Sequence, residues 1–135
     1  MSGESNAHAA LVLELVNYVR STHSCEGQLA LYADHEDVAG GRPERINGFL
    51  PDVYAYDVPT SFVVIGEAKT RRDLQSDRSQ KQLAAFAHYL SLHEVGYLYI
   101  FTPLLTCAAA VDTLNSLKQA YPRLHGEVLA SETVS

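Results

Sequence analysis

Several residue types are scarce in this chain of 135 residues, which has two cysteines, one methionine and no tryptophan. Cys25 and Cys107 lie far apart and have no metal-ligand spacing, so we expect reduced thiols, with neither a disulfide nor a zinc site. No apolar run approaches the roughly 18 residues of a membrane span, and the first residues lack the profile of a signal peptide. We therefore expect one globular domain over residues 1–135, no membrane partner and a cytoplasmic location.

Histidine is present without a metal-binding pattern. The six histidines form no H-x-x-x-H or H-x-H pair. We interpret each of them as a surface or structural residue rather than as a metal ligand.

The basic residues are few and unevenly distributed. The chain has 10 lysines and arginines against 16 acids, a net charge of −6. Seven of the ten basic residues lie between positions 42 and 81, where the local charge is +1, while the remainder of the chain is at −7. A polarised distribution of this kind is typical of a one-sided phosphate-binding face. The alternative is an ordinary solvated loop and helix surface.

Hydrophobic periodicity predicts a helix, three strands, a helix, a strand and a final helix. In the segment Phe62 to Ile65, the odd-numbered and the even-numbered positions are both apolar, which indicates a central strand covered on both faces. Residues 1–5 and the tail 131–135 are expected to be loose. The predicted elements are Asn6 to Arg20, Gln28 to Ala33, Val53 to Tyr56, Phe62 to Ile65, Asp77 to Leu90, Gly96 to Thr102 and Ala108 to Tyr121, with His125 to Ala130 as an additional edge strand.

The stretch from Pro51 to Lys69 carries the residues with the clearest chemistry. If the strand after Asp52 pairs as a hairpin with the strand that ends at Glu67, the two carboxylates come close together. Two such carboxylates repel unless they share a proton or bind a cation, and oxygen ligands favour a hard ion such as Mg²⁺. Glu67 and Lys69 are two residues apart in an extended strand, so they point to the same side.

These residues resemble the motif of the PD-(D/E)XK nuclease superfamily, with Pro51-Asp52 followed by Glu67-Ala68-Lys69. The predicted order of elements is similar to the αβββαβ core of that superfamily, a restriction-endonuclease-like α/β fold with a mixed central sheet flanked by helices. The resemblance covers about residues 6–120. It implies a divalent-metal-dependent nuclease that hydrolyses DNA phosphodiester bonds, in its simplest form an endodeoxyribonuclease.

The resemblance also implies roles for individual residues. Asp52, Glu67 and the backbone carbonyl of Ala68 would bind Mg²⁺ or Mn²⁺, and Lys69 would stabilise developing negative charge, because neighbouring carboxylates favour its charged form. Glu14 is the only acid of the first helix and matches the position from which many members add a metal ligand. The alternative is that Glu14 occupies the exposed stripe of an amphipathic helix.

Contacts with DNA are expected from the basic segment and from the first turn of the helix after Asp77. Gln82 is included because several nuclease subgroups have a glutamine on this helix, although Phe86 stands where they have a tyrosine. A homodimer that uses the strand Gly96 to Phe101 as its contact surface would allow both strands of a duplex to be cut. The candidate DNA-binding residues are Arg42, Arg45, Arg71, Arg72, Arg78, Lys81 and Gln82.

Two other classes of function remain open at this point. The first is a catalytically inactive nuclease-fold protein that binds DNA or acts as a scaffold. The second is an acidic protein-interaction domain, which is favoured if the basic residues prove to be scattered over the surface.

Overall fold

The computed structural model describes residues 6–23, 28–58 and 62–131. The predictions for residues 1–5, Cys25 and residues 132–135 lie outside these ranges. The described elements are the helices α1 (Asn6–His23), α2 (Arg71–Leu74), α3 (Asp77–Ser91) and α4 (Cys107–Ala120), a 3₁₀ turn (Leu104–Thr106), and the strands β1 (Gln28–Ala33), β2 (Val53–Val58), β3 (Val63–Ala68), β4 (Gly96–Pro103) and β5 (His125–Ser131).

The five strands form one mixed sheet in the order β1-β2-β3-β4-β5. The pairs β1–β2 and β2–β3 are antiparallel, and the pairs β3–β4 and β4–β5 are parallel. All six residues of β3 are buried. The prediction of a mixed sheet whose central strand is covered on both faces is therefore confirmed.

Helices cover the two faces of the sheet unequally. Helix α1 packs on one face against β1 to β4, while α3 packs on β3 and β4 and α4 on β4 and β5 of the opposite face. Helix α1 comes so close to β3 that a Cβ atom on Gly66 would lie 2.7 Å from a methyl group of Leu15. Among the described residues, no helix combines the length and the hydropathy that crossing a membrane requires.

Strand β4 lies inside the sheet, and this contradicts the predicted dimer surface. It is hydrogen-bonded to β3 on one side and to β5 on the other. The segment Gly96 to Phe101 is apolar because it is a central strand, so its backbone edges are already paired. The apolar pattern alone did not distinguish a strand buried in a sheet from a surface that binds a partner.

Several boundaries also differ from the predictions. The first helix continues to His23, and β5 extends to Ser131, which is buried and therefore does not belong to a loose tail. Helix α3 begins at Asp77 as predicted, and Ser76 caps it, because its side chain accepts a hydrogen bond from the amide of Ser79. In α4 the buried residues are Ala110 and Leu114, whereas Val111 is 42% exposed.

Candidate active site

The hairpin of β2 and β3 brings Asp52 and Glu67 together. Val53 pairs with Gly66, so Asp52 and Glu67 are the next opposed residues. The amide of Asp52 donates a hydrogen bond to Oε2 of Glu67 at 2.7 Å, and the amide of Ala68 donates one to Oδ2 of Asp52 at 2.9 Å. Each carboxylate is thus held by the backbone of the other strand. Both are buried, Asp52 at 7% and Glu67 at 1% exposure.

Lys69 is buried beside this pair, and helix α3 fixes its position. Its Nζ atom lies 3.4 Å from Oε1 of Glu67 and donates hydrogen bonds to Oγ of Ser79 at 3.1 Å and to Oε1 of Gln82 at 2.5 Å. A lysine ammonium has three donors, and these contacts direct it from three sides. The predicted proximity of Glu67 and Lys69 is present in the structure.

Burial makes the ionised form of Glu67 costly. Desolvation, followed by repulsion from Asp52, raises the pKa of Glu67 to about 8, although Lys69 and the amide of Asp52 act in the opposite direction. Oε1 of Glu67 is buried and faces the ammonium of Lys69 at 3.4 Å, a distance too long for a well-formed hydrogen bond. A carboxyl group in this situation either keeps a proton or requires a cation.

The donor atoms at this position fit a hard cation. The residues described here contain no cluster of three or more histidine, cysteine or acidic side chains arranged to hold a metal. Mg²⁺, however, is commonly bound by one or two carboxylates together with water and substrate phosphate. The amide of Ala68 points to Asp52, and the N–H and C=O of one strand residue face the same side, so the carbonyl of Ala68 is directed there as well.

Helix α1 contributes His8 to the site instead of Glu14. Nε2 of His8 lies 3.3 Å from Oδ2 of Asp52. His8 is three and seven residues before Leu11 and Leu15, so it occupies the first turn of the stripe that faces the sheet. The sequence contains no signal, such as a pair of closely spaced histidines, that would have predicted the contact between His8 and Asp52.

Glu14 lies away from this cluster. Its Oε2 atom accepts a hydrogen bond of 2.6 Å from Oγ of Ser131, at the end of β5. Six residues of helix separate it from His8, which corresponds to about 9 Å along the axis and about 120° around it. The structure therefore does not bring Glu14 to Asp52 and Glu67 as the sequence led us to expect.

A polar cavity of about 460 Å³ opens over the carboxylates. Arg72 and Arg78 are at its rim, and the guanidinium of Arg78 lies 5.2 Å from the centroid of the Phe49 ring. Three carboxylates and three permanent cations line the cavity, so one divalent cation would make it positive and suited to phosphate. Its lining residues are His8, Asp52, Glu67, Lys69, Thr70, Arg72, Asp73, Ser76, Arg78, Ser79 and Gln82.

Four other candidate DNA-binding residues, Arg42, Arg45, Arg71 and Lys81, are not part of the lining of this cavity. Arg42 and Arg45 line a second cleft of about 560 Å³, and Lys81 lines a third cavity, of about 680 Å³, which shares Tyr89 with the second. Arg71 is exposed in α2, a short helix that the sequence did not predict. Gln82 lines the cavity over the carboxylates and accepts a hydrogen bond from Lys69.

Comparisons of the chain with models of known protein families, with curated proteins and with solved structures give no match. The interpretation of the site therefore depends on its own geometry and chemistry.

Proposed function

We propose that the protein is a divalent-metal-dependent nuclease that hydrolyses phosphodiester bonds of DNA, with an endonucleolytic mode as the simplest case. One observation carries the proposal. Two buried carboxylates, Asp52 and Glu67, are hydrogen-bonded to each other's strands beside the buried Lys69, at the floor of a cavity with arginines at its rim. Burying this combination is costly unless a cation and an anionic substrate complete it.

The residues have separate roles in this proposal. Asp52, Glu67 and the carbonyl of Ala68 would hold Mg²⁺ or Mn²⁺, which supplies an activated water and polarises a phosphoryl oxygen when bound. The ammonium of Lys69 stabilises the negative charge that develops on the phosphate. Ser79 and Gln82 position Lys69 through their hydrogen bonds.

The remaining parts of the cavity orient the substrate. Arg72 and Arg78 bind the phosphates on either side of the reacting one, because a guanidinium can pair with phosphate oxygens through two parallel hydrogen bonds. His8 orients Asp52. The proposal includes DNA as partner, a cytoplasmic location and a homodimer for cutting two strands, with a contact surface other than β4.

A second candidate function is a nuclease-fold protein that binds DNA without cutting it. The observation that favours it is the lack of a third acidic or histidine metal ligand among the described residues. Binding would then depend on Arg72 and Arg78 alone and would not require a cation.

The first experiment measures cutting of single-stranded, duplex, flapped and four-way-junction DNA with Mg²⁺ or Mn²⁺. Asp52→Asn is compared with the wild type, and Asp112→Asn, an exposed acid of α4, is the matched control. Metal-dependent cutting that is lost only in Asp52→Asn supports the nuclease. Retention of DNA without metal and without cutting would favour the binding protein instead.

A further inference from the structure

Three tyrosines occupy the part of the sheet face that α3 and α4 leave open. Helices α3 and α4 pack over β3, β4 and β5, whereas the same face of β1 and β2 carries Tyr32, Tyr54 and Tyr56. Tyr32 is directly paired with Tyr54, and all three side chains are half-buried. Tyr54 and Tyr56 pack against the hydrophobic cluster beneath α3, and all three tyrosines keep part of their surface exposed in the cleft.

The rings form an ordered aromatic floor. Tyr32 and Tyr56 are nearly parallel, with an interplanar angle of 23° and centroids 6.5 Å apart. Tyr54 meets Tyr56 edge to face at 6.2 Å, and its hydroxyl group shares a hydrogen bond of 2.7 Å with that of Tyr89 in α3. These contacts fix the rings before any ligand binds, which lowers the entropy cost of binding.

The opposite wall of the cleft carries two arginines, Arg42 and Arg45, and one acid, Glu44, which leaves it with a charge of +1. It consists of residues 42–47, and the cleft encloses about 560 Å³, within the range of small-molecule sites. Nε of Arg42 lies 3.1 Å from Oδ1 of Asp34, and Nη1 of Arg45 donates to the carbonyl of Gly48 at 3.1 Å. A guanidinium has five N–H donors, so each arginine keeps further donors for phosphate oxygens beside the contact that it already makes.

The cleft and the active-site cavity share no lining residue, but both lie along the chain that leads through Asp52 into β2. Asp52, Tyr54 and Tyr56 alternate along β2 and face the same side of the sheet, so the first tyrosine is about 7 Å from Asp52 along the strand. A nucleic-acid strand with a phosphate at Asp52 and Glu67 would therefore extend along β2 into this cleft.

We propose that the cleft binds an unpaired nucleotide of the strand whose phosphodiester lies at Asp52 and Glu67; the inference rests on the proposed nuclease function. Aromatic side chains stack on the faces of any base, and arginines contact the backbone. In a duplex both faces of a base are already covered by its neighbours. The cleft thus selects single-stranded or locally opened nucleic acid as the substrate class.

The test measures binding instead of cutting, in the presence of a chelator. Fluorescence anisotropy compares a single-stranded DNA, its duplex, an RNA of the same sequence and an abasic strand with the same number of phosphates. Wild-type protein should bind the base-bearing single strand at least about fivefold more tightly than the abasic strand, because one stacked base contributes that much. It should also prefer that strand to the duplex.

Substitutions of Tyr56 test whether the preference for the base-bearing strand arises in this cleft. Tyr56→Leu should reduce the preference for the base-bearing strand to about one, whereas Tyr56→Phe, which retains the ring, should preserve it. Tyr18→Leu is the remote control, since Tyr18 lies on α1 and its hydroxyl group donates to Glu127 at 3.3 Å. Circular dichroism of every variant verifies that the fold is retained.

Each outcome separates this inference from the proposed function. Three results would contradict the proposal that the cleft binds an unpaired base. These are equal affinity for base-bearing and abasic strands, tighter binding of the duplex, and an unchanged preference for the base-bearing strand in Tyr56→Leu. Metal-dependent cutting that Asp52→Asn abolishes would still support the nuclease. Binding that depends on the tyrosine rings but is accompanied by no cutting would support base binding in the cleft and count against the proposed nuclease activity. A preference for RNA would support base binding in the cleft and count against DNA as the substrate.

Discussion

The amide of Asp52 donates a hydrogen bond to Oε2 of Glu67, and the amide of Ala68, the residue after Glu67, donates one to Oδ2 of Asp52. The two acids are therefore fixed to each other's backbone and not to solvent. Neither carboxylate can turn away to relieve the repulsion without losing a buried hydrogen bond. Burial of Glu67 and then its repulsion from Asp52 raise the pKa of Glu67, although the hydrogen bond from the amide of Asp52 lowers it, and the site depends on a proton or a cation.

The first prediction concerns stability without metal. The pKa of Glu67 is raised from 4.5 to about 8 in the folded protein, so the folded state binds the proton more tightly than the unfolded state. The free energy of unfolding should therefore fall as pH rises through this window. Urea unfolding with chelator, measured across the window, tests this. In Glu67→Gln, most of the decrease in the free energy of unfolding with rising pH should disappear. If this variant shows the same decrease as the wild type, titratable groups other than Glu67 cause it.

The second prediction concerns metal binding by the same group. A cation must displace the proton of Glu67, so the affinity for Mn²⁺ should rise with pH up to about 8, and binding should release a proton. Calorimetry in two buffers of different ionisation enthalpy measures the release. Binding that is independent of both pH and buffer would show that Glu67 is not a ligand.

The third prediction separates Lys69 from the residues that position it. Lys69→Met keeps the apolar stem and removes the ammonium, so turnover should fall by at least about 100-fold. Gln82→Leu leaves Lys69 with Ser79 and Glu67, and the loss should be about 10- to 100-fold in kcat with little change in KM. A pure increase in KM for Gln82→Leu would instead indicate that Gln82 contacts the substrate.

The sequence predicted those parts of the site that follow from strand periodicity and from the hairpin. Asp52, Glu67 and Lys69 are close in sequence, so pairing of two neighbouring strands was enough to bring them together. The contribution of α1 depends on the crossing of a helix and a strand that are 44 residues apart, as in the contact between His8 and Asp52. A one-dimensional pattern contains no information on that crossing.

Composition was also insufficient to interpret the tyrosines. Alternation along one strand places Tyr54 and Tyr56 on the same face, but only the register of β1 against β2 shows that Tyr32 lies on that face as well. The pattern of Gly96 to Phe101 was misinterpreted for the related reason that a buried central strand and an exposed apolar strand have the same composition. Both cases depend on the order of strands in the sheet.

The fourth prediction concerns Gly126 in β5. Its φ is +135°, and a Cβ atom there would lie 1.8 Å from the carbonyl oxygen of Leu98, which cannot move without breaking the β4–β5 pairing. Gly126→Ala should lower the free energy of unfolding by at least about 3 kcal/mol. Gly41→Ala is the matched control, because Gly41 has a φ of +94° but open space around its Cα. It should cost about 1–2 kcal/mol from backbone strain alone. Equal costs would show that the contact with Leu98 is not decisive.

The fifth prediction compares two polar residues of α1, His8 and Glu14. His8 contacts Asp52, so His8→Ala should lower turnover by about 10- to 100-fold and weaken Mn²⁺ binding, because Asp52 loses a partner that orients it. Glu14 bonds Ser131 at the end of β5. Glu14→Ala should therefore leave turnover and metal affinity within about twofold and lower the free energy of unfolding by about 1.5–3 kcal/mol, the usual range for a hydrogen bond to a charged group.

A double-mutant cycle with Ser131→Ala tests the second half of this comparison. If the hydrogen bond accounts for the effect, Glu14→Ala should cost much less stability once Ser131 is replaced, since the bond is already lost. The two single variants should bind Mn²⁺ as the wild type does. Loss of metal binding in Glu14→Ala, together with normal binding in His8→Ala, would assign the helix ligand to Glu14 after all, because the metal would then have to draw α1 into a different position over β3.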